Sequence, residues 1–217
     1  MNLLKLFTVA GLFLFVGFPL NAQFSLGIKG GYTKAWQDYG DTEVPENAII
    51  HVNRMNVSAM AYYRLGKHLE LGVEPGFVER GAACIPGFGL FFVGDTKYLL
   101  NYVELPLMLQ ASWGNKFVFF SKIGYGGSYV LSGTRVVTDL IFTDNPPKRD
   151  AIDFDDPSYN LNRWDHGIYG GIGVAYNFDI HRLFFSLEYY HGLKDVEKLN
   201  ASQARSINFN LGYAIRF

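Results

Sequence analysis

The chain has 217 residues, with 19 lysines and arginines against 20 aspartates and glutamates and a formal net charge of −1. This near-neutral balance gives no electrostatic reason to expect a nucleic acid as a partner. The single cysteine, Cys84, excludes a framework of internal disulfide bonds, while 24 glycines and 17% aromatic residues favour β-structure with aromatic belts.

Residues 1–22 have the pattern of a secretory signal peptide. Lys5 precedes an apolar run over residues 6–18, and Pro-Leu-Asn-Ala follows up to Ala22, after which we expect cleavage. The alternative is an uncleaved membrane helix, which the short run and the proline behind it disfavour. No later run is apolar and long enough for a membrane helix, so insertion into a membrane would have to use strands.

The rest of the chain contains eight segments in which apolar residues alternate with small or polar ones, the period of a β-strand. They lie near residues 24–33, 53–65, 68–80, 102–112, 117–131, 165–178, 182–190 and 206–217. Pro75 interrupts the third segment and predicts a bulge or a local bend, since proline has no backbone N–H. The last segment ends on Phe217, which we expect to serve as the signal read by the barrel assembly machinery.

The connections between these segments run long, short, long, short, long, short and moderate. The longest, residues 133–161, carries the acidic residues 150–156, which we interpret as a solvated loop rather than a calcium site. Short turns on one side and long loops on the other are typical of transmembrane barrels whose termini are both periplasmic. The sequence therefore predicts an all-β fold, an eight-stranded antiparallel up-and-down transmembrane β-barrel over residues 23–217, in the outer membrane of a Gram-negative bacterium.

The orientation of the two strand faces distinguishes this barrel from a soluble, lipocalin-like one with an apolar interior. The apolar set is bulky and uncharged, with aromatic residues near strand ends, and the polar set is small enough for a narrow lumen. We therefore expect the polar set to face inward, with ion pairs that fill the lumen and leave no open pore. The predicted charge network consists of Lys29, Arg64, Glu70, Glu74, Arg80, Glu104, Lys122, Asp165, Arg182, Glu188 and Arg216.

Catalytic patterns are weak. Asp165 and His166 are adjacent in the chain and point to opposite faces of one strand, a poor geometry for an orienting pair, and no G-x-S-x-G motif or metal-type histidine pair occurs. We expect no enzymatic activity, no cofactor and no metal.

Several motifs resemble one family: FSLGIKGGYT, LGVEPGFVERG, YVELPLMLQ, IGYGGSYVLSG and the closing NLGYAIRF. They are similar to the PorT-like outer-membrane β-barrel proteins of the Bacteroidota, over essentially the whole chain after residue 22. The resemblance implies the barrel fold and, through the founding member, a link to type IX secretion. It supplies no catalytic residues.

Three functions remain open at this point. The first is a scaffold or partner in envelope assembly or protein secretion, with outer-membrane lipid, the barrel assembly machinery and other envelope or secretion proteins as partners. The second is a surface ligand-binding or adhesion barrel, which also uses the loops. The third is a lipid-modifying enzyme, which requires a histidine and a serine or acid to converge on the outer face.

Overall fold

The computed structural model describes residues 23–39, 51–84, 94–139, 146–156, 159, 161–197 and 202–217. The predicted signal peptide lies outside the described residues. The strands are β1 (Phe24–Asp38), β2 (Val52–Arg64), β3 (Leu69–Val73), β4 (Gly76–Cys84), β5 (Gly94–Gly114), β6 (Phe117–Asp139), β7 (Lys148–Ala151), β8 (Trp164–Phe178), β9 (His181–Asp195) and β10 (Gln203–Arg216). In these ranges no helix is long and apolar enough to cross a membrane.

The strands form a closed antiparallel ring. β1 pairs with β2 on one side and with β10 on the other, from Ser25 opposite Arg216 to Asp38 opposite Gln203. β3 and β4 share one position between β2 and β5, and β7 pairs with β6 outside the ring. The ring therefore has eight strand positions, and the predicted eight-stranded antiparallel fold is confirmed.

Pro75 separates β3 from β4 without changing the register. Val73 lies opposite Leu107 and Gly76 opposite Glu104, so no extra residue is inserted and, of the predicted bulge or local bend, the bulge is not formed. The missing N–H of proline removes one hydrogen bond from the ladder, while its carbonyl still accepts one from the Ala59 amide at 2.9 Å. The register shifts occur elsewhere, at Asn101/Tyr102 and at Gln203/Arg205.

The ladder between β2 and the broken β3–β4 strand is incomplete. β2 pairs with β3 over Ala61–Arg64 and with β4 over Asn56–Ser58. Its first residues, from Val52, pair with β1 alone. The other neighbouring strands of the ring pair over most of their common length, as β1 and β10 do.

The outer wall is apolar, as the alternation predicts. Ile28 is 64% exposed, and Met55 and Leu211 are each 70% exposed, which suits contact with lipid chains. Aromatic rings pair near both ends of the wall, for example Phe117 with Tyr176, whose ring centroids are 5.0 Å apart, and Tyr129 with Trp164, at 4.7 Å. Such girdles are typical of membrane–water interfaces.

One side of the barrel is taller than predicted. The pairing of β5 with β6 continues to Gly94 opposite Asp139, whereas β8 begins at Trp164 opposite Tyr129. The ten residue-to-residue steps from Tyr129 to Asp139 correspond to roughly 33 Å of strand. We name this part the projecting sheet: residues 94–101 of β5, 132–139 of β6, and β7. We predicted loops for most of these residues because apolar and polar residues alternate poorly in the projecting sheet.

The segment after the projecting sheet turns back over the lumen. Ile152 and Phe154 are buried, and with Leu100 they fill the space above Gly133, whose carbonyl accepts a hydrogen bond from the Ile152 amide at 2.9 Å. We name Ile152 and Phe154 the lumen cap. The solvated-loop interpretation of residues 150–156 is therefore corrected, since the apolar residues between exposed acids point inward.

Candidate functional site

The predicted charged residues lie on the inner face of the barrel in three layers. The lower layer is nearest the short turns, at residues 65–68, 115–116 and 179–180, and the upper layer is nearest the long connections. The lower layer contains Arg64, Glu70, Arg182 and Arg216; the middle layer contains Lys29, Glu74, Lys122 and Glu188; the upper layer contains Arg80, Glu104 and Asp165.

The middle layer is a closed ring of two lysines and two glutamates. Lys29 Nζ lies 2.6 Å from Glu74 Oε2 and 2.5 Å from Glu188 Oε2. Lys122 Nζ lies 2.8 Å from Glu74 Oε1 and 2.8 Å from Glu188 Oε1. Each carboxylate therefore contacts both ammonium groups, and the ring is neutral. Glu74 is 2% exposed, so this interaction takes place in a low-dielectric interior.

Hydroxyl donors and a glycine complete the ring. The Tyr62 hydroxyl donates to Glu74 Oε1 at 2.5 Å, and the Ser186 hydroxyl donates to Glu188 Oε1 at 2.7 Å. A Cβ on Gly171 would lie 3.0 Å from Glu188 Cγ and 3.4 Å from Lys122 Cε, so the absence of a side chain leaves room for both. Full hydrogen bonding is what makes buried charges tolerable.

The upper layer is built around one arginine. Arg80 Nη2 donates to Glu104 Oε2 at 2.5 Å, and its guanidinium carbon lies 3.8 Å from the centroid of the Tyr190 ring, a cation–π contact. The Tyr169 hydroxyl donates to Glu104 at 3.0 Å, and the Tyr190 hydroxyl donates to Asp165 at 2.8 Å. The His166 amide also donates to Asp165 at 2.7 Å, and among the described residues Asp165 makes no direct ion pair.

The lower layer has several arginines and one carboxylate. Glu70 lies 3.5 Å from Arg182 Nη1 and 3.8 Å from Arg64 Nε, and it accepts a hydrogen bond from Gln110 Nε2 at 2.7 Å. Arg182 Nε also donates to Asn177 Oδ1 at 3.0 Å. Arg216 faces the same mouth, and within the described ranges its guanidinium makes no ion pair or hydrogen bond.

Charge is therefore distributed unevenly along the lumen. In the predicted set the lower layer holds three arginines and one glutamate, a sum of +2, and the middle layer sums to zero. The upper layer holds one arginine and two acids, a sum of −1. A cavity of about 10 Å³, room for about one water molecule, separates the lower and middle layers, and the buried rings of Phe120 and Phe184 close the lumen around it.

Sequence reasoning missed one buried cation, which joins the four predicted ones, Lys29, Arg80, Lys122 and Arg182. Arg205 is buried, lies 3.1 Å from Asp38 and donates to the Gly192 carbonyl at 2.8 Å. Counting by twos along the last strand places it with the lipid-facing residues, and it pairs in register with Trp36 and His191. Its burial comes from its contacts with Asp38 and with the Gly192 carbonyl, which the alternation of residues does not reveal. The tyrosines of the network could have been predicted from the sequence, since Tyr62, Tyr169 and Tyr190 occupy inward positions of the alternation.

β10 also supplies buried amide groups to the lumen. Asn208 and Asn210 are buried and face the lumen. Oδ1 of Asn208 and both amide atoms of Asn210 have no hydrogen-bond partner among the described residues. This side of the lumen retains hydrogen-bonding capacity next to the middle layer, because Asn208 lies opposite Glu188.

The histidines do not assemble a catalytic pair in the part of the chain that the structure describes. His166 Nδ1 lies 3.1 Å from the Tyr125 hydroxyl on the outer face, and His181 Nδ1 lies 2.5 Å from the Tyr213 hydroxyl. His68 Nδ1 meets the Ser112 carbonyl, and His51 packs edge-on against Trp36. The same residues contain no cluster of histidine, cysteine and acidic side chains suited to a metal ion.

Phe217, the predicted assembly signal, follows β10 at the seam between the first and last strands. Its amide donates to the Phe24 carbonyl at 2.7 Å, and its side chain is 49% exposed on the lipid-facing wall. The aromatic ring is therefore accessible from the membrane, and its role as an assembly signal stays a prediction.

Solved structures provide three comparisons. OprG from Pseudomonas aeruginosa has a TM-score of 0.47 and 11% identity, and the match covers 90% of this chain and 97% of that one. Ail of Yersinia pestis, solved with the heparin analogue sucrose octasulfate, has a TM-score of 0.42, 12% identity and coverage of 89% and 99%. The outer membrane protease OmpT of Escherichia coli has a TM-score of 0.44, 11% identity and coverage of 93% and 99%. Similarity at this level carries no conclusion about activity.

No curated protein matches the sequence. A family model does match: residues 19–198 fit the family described as outer membrane protein beta-barrel domain, a range that includes nine of the ten strands. The closed ring, the apolar outer wall and the charged lumen are the structural counterparts of that match. The chain belongs to the outer membrane protein beta-barrel domain family, and its place is the outer membrane.

Proposed function

We propose that the protein is a non-enzymatic barrel that acts through its long-connection end as a scaffold or partner in envelope assembly or protein secretion. The observation that carries this proposal is the combination of a filled lumen with a projecting sheet. Lys29, Lys122 and their two glutamates occupy the centre of the barrel, so this interior is poorly suited to transport. The projecting sheet, in contrast, offers a preformed surface outside the ring.

The proposal includes an orientation in the membrane. Both described ends of the barrel chain, Gln23 and Phe217, lie at the end with the short turns. In outer-membrane barrels short turns are periplasmic and long connections are extracellular. On this basis the lower layer faces the periplasm, and the projecting sheet and lumen cap face outward.

β7 is the part of the projecting sheet best placed to meet a partner. It pairs with β6 on one side and forms the last strand of the sheet. Lys148 and Arg149 are exposed on it, and charged residues on an edge strand prevent indiscriminate strand pairing while permitting contact with a partner of opposite charge. The similarity to PorT-like proteins suggests secretion components as the class of partner.

The test is affinity purification from native outer membranes in mild detergent, followed by mass spectrometry. We expect envelope or secretion proteins to co-purify in stoichiometric amounts with the wild type. Charge reversal on the projecting sheet, Lys148→Glu with Arg149→Glu, should remove them because β7 would then repel an acidic partner.

Lys67→Glu is the matched control, because it reverses a charge at the opposite end of the barrel, in the turn between β2 and β3. It should leave co-purification intact. A wild-type protein that purifies alone contradicts the scaffold proposal and favours the adhesion or ligand-binding alternative. Altered lipid chemistry in cells that lack the protein would instead favour the enzymatic alternative.

A further inference from the structure

We propose that Arg64, Arg182 and Arg216 form a binding site for a small oxyanion, a carboxylate or a phosphate group, at the short-turn mouth of the lumen. The site is independent of the projecting sheet and of any partner bound there.

The three arginines converge because they occupy inward positions near the ends of strands around the same mouth. Arg216 lies opposite Ser25 of β1, and Arg64 lies on the far side of β1, where its amide donates to the Gln23 carbonyl at 2.7 Å. On the other side of β10, Arg182 lies opposite Ala214, the next inward residue after Arg216. The guanidinium groups of Arg182 and Arg64 are close enough to repel that of Arg216.

One carboxylate pairs with two of the three arginines. Glu70 is already shared by Arg182, at 3.5 Å, and Arg64, at 3.8 Å, and it also accepts from Gln110. Both ion-pair distances are long compared with the 2.5 Å between Arg80 and Glu104 in the upper layer. The described residues provide Arg216 with no ion pair, and the four side chains of the lower layer carry two more positive charges than negative ones.

Such an arrangement favours an anion for a physical reason. Three like charges near one mouth repel one another, and an oxyanion that accepts hydrogen bonds from them relieves this repulsion. The planar guanidinium fork matches carboxylate and phosphate oxygens, and Arg182 is already oriented by its hydrogen bond to Asn177. The lysines of the middle layer offer no second site, because both carboxylates there satisfy them.

The anion is expected to stop at this mouth. Above it the buried rings of Phe120 and Phe184 stand edge to face, with centroids 6.1 Å apart, and Met60 packs against them. The cavity between the lower and middle layers is only about 10 Å³, too small for phosphate or acetate. The site therefore binds an anionic group presented at the mouth and does not conduct it.

The test uses protein purified from outer membranes into a nonionic detergent, with two probes titrated separately: inorganic phosphate and acetate. Calorimetry and the side-chain NMR signals of arginine report binding. We expect the wild type to bind at least one probe and Arg216→Gln to bind it at least about tenfold more weakly, the loss of roughly one charge-assisted contact. The better probe shows whether a phosphate or a carboxylate is preferred.

Arg149→Gln is the matched control, since Arg149 is an exposed arginine at the opposite end of the barrel. This variant should bind the probe with the same affinity as the wild type. Heat-dependent mobility on gels establishes that each variant is folded, and Arg64→Gln replaces Arg216→Gln if that variant fails to assemble. The proposal is overturned if the wild type binds neither probe, or if Arg216→Gln and Arg149→Gln have the same affinity as each other.

Discussion

At the scale of single residues, the middle layer shows how charge is kept inside a membrane protein. Lys29 and Lys122 each contact both glutamates, and each glutamate also accepts from a hydroxyl. Removing one member leaves a buried charge without compensation, which costs more than the net stabilisation that the intact ring provides. The ring is consequently sensitive to single changes and tolerant of paired ones.

Glu188→Gln tests this sensitivity. The substitution keeps the size of the side chain but leaves two lysines with the single carboxylate of Glu74, so we expect the free energy of unfolding to fall by about 3–5 kcal/mol. Urea unfolding in detergent micelles, followed by tryptophan fluorescence and gel mobility, measures the change. Adding Lys122→Met should restore part of the loss, because it removes the excess positive charge.

Glu79→Gln provides the comparison for that experiment. Glu79 pairs with Arg54 at 3.9 Å, and both side chains are about a third exposed. Because solvent screens such a pair, the free energy of unfolding should change by less than about 0.5 kcal/mol. Equal losses in Glu79→Gln and Glu188→Gln would show that the buried ring has no special role in stability.

At the scale of elements, the lumen cap joins the projecting sheet to the barrel. β7 and the residues behind it are anchored by Ile152 and Phe154, which pack with Leu100 over Gly133. Burial of two large apolar side chains contributes about 1.5–3 kcal/mol each. The acids on either side of these residues remain in solvent, which keeps the segment soluble on its outer surface.

Replacing the cap with Ile152→Ser and Phe154→Ser should release this segment. Trypsin cleavage after Lys148 or Arg149 should become at least about tenfold faster, because the two anchors that hold β7 against β6 are lost. Time courses of digestion of the folded protein measure the rate. Asp153→Ser, which changes an exposed residue between the two anchors, should leave the cleavage rate unaffected. If Asp153→Ser also accelerates cleavage, the apolar anchors do not hold the segment.

The elements also show which features of the structure could be predicted from the sequence. Strand faces were predictable because a period of two distinguishes Glu188 from Leu187 without knowledge of the fold. Strand ends were not, because β5 and β6 run on through residues with little alternation and are held there by their partners. Arg205 was missed because it occupies a position that the alternation assigns to the lipid face, and its burial depends on contacts with Asp38 and the Gly192 carbonyl that a period of two does not contain.

At the scale of the whole molecule, the barrel is closed unevenly. The seam between the first and last strands pairs continuously from Ser25 to Asp38, although the two ends of the barrel meet there. The weakest seam lies between β2 and β4, which pair only over Asn56–Ser58. Local opening draws on such places, where few backbone hydrogen bonds must break.

Hydrogen exchange should reveal this seam. Peptides that cover residues 52–55 and 79–84 should exchange faster than peptides from residues 203–209, which lie at the same end but in a strand paired on both sides. Mass spectrometry of the detergent-solubilised barrel measures the rates. Uniform protection across the three segments would mean that the gap in pairing has no dynamic consequence.

The unequal charges of the three lumen layers have a consequence for permeation. A small anion drawn to the arginines at the lower mouth would next have to approach Glu104 and Asp165, while a cation entering from above would be repelled by the arginines at the exit. The interior thus contains two electrostatic barriers of opposite sign in series: the upper acids repel anions and the lower arginines repel cations. Trimming bulky side chains alone would therefore widen the lumen without making it conduct; the charges at one mouth would have to be reversed as well.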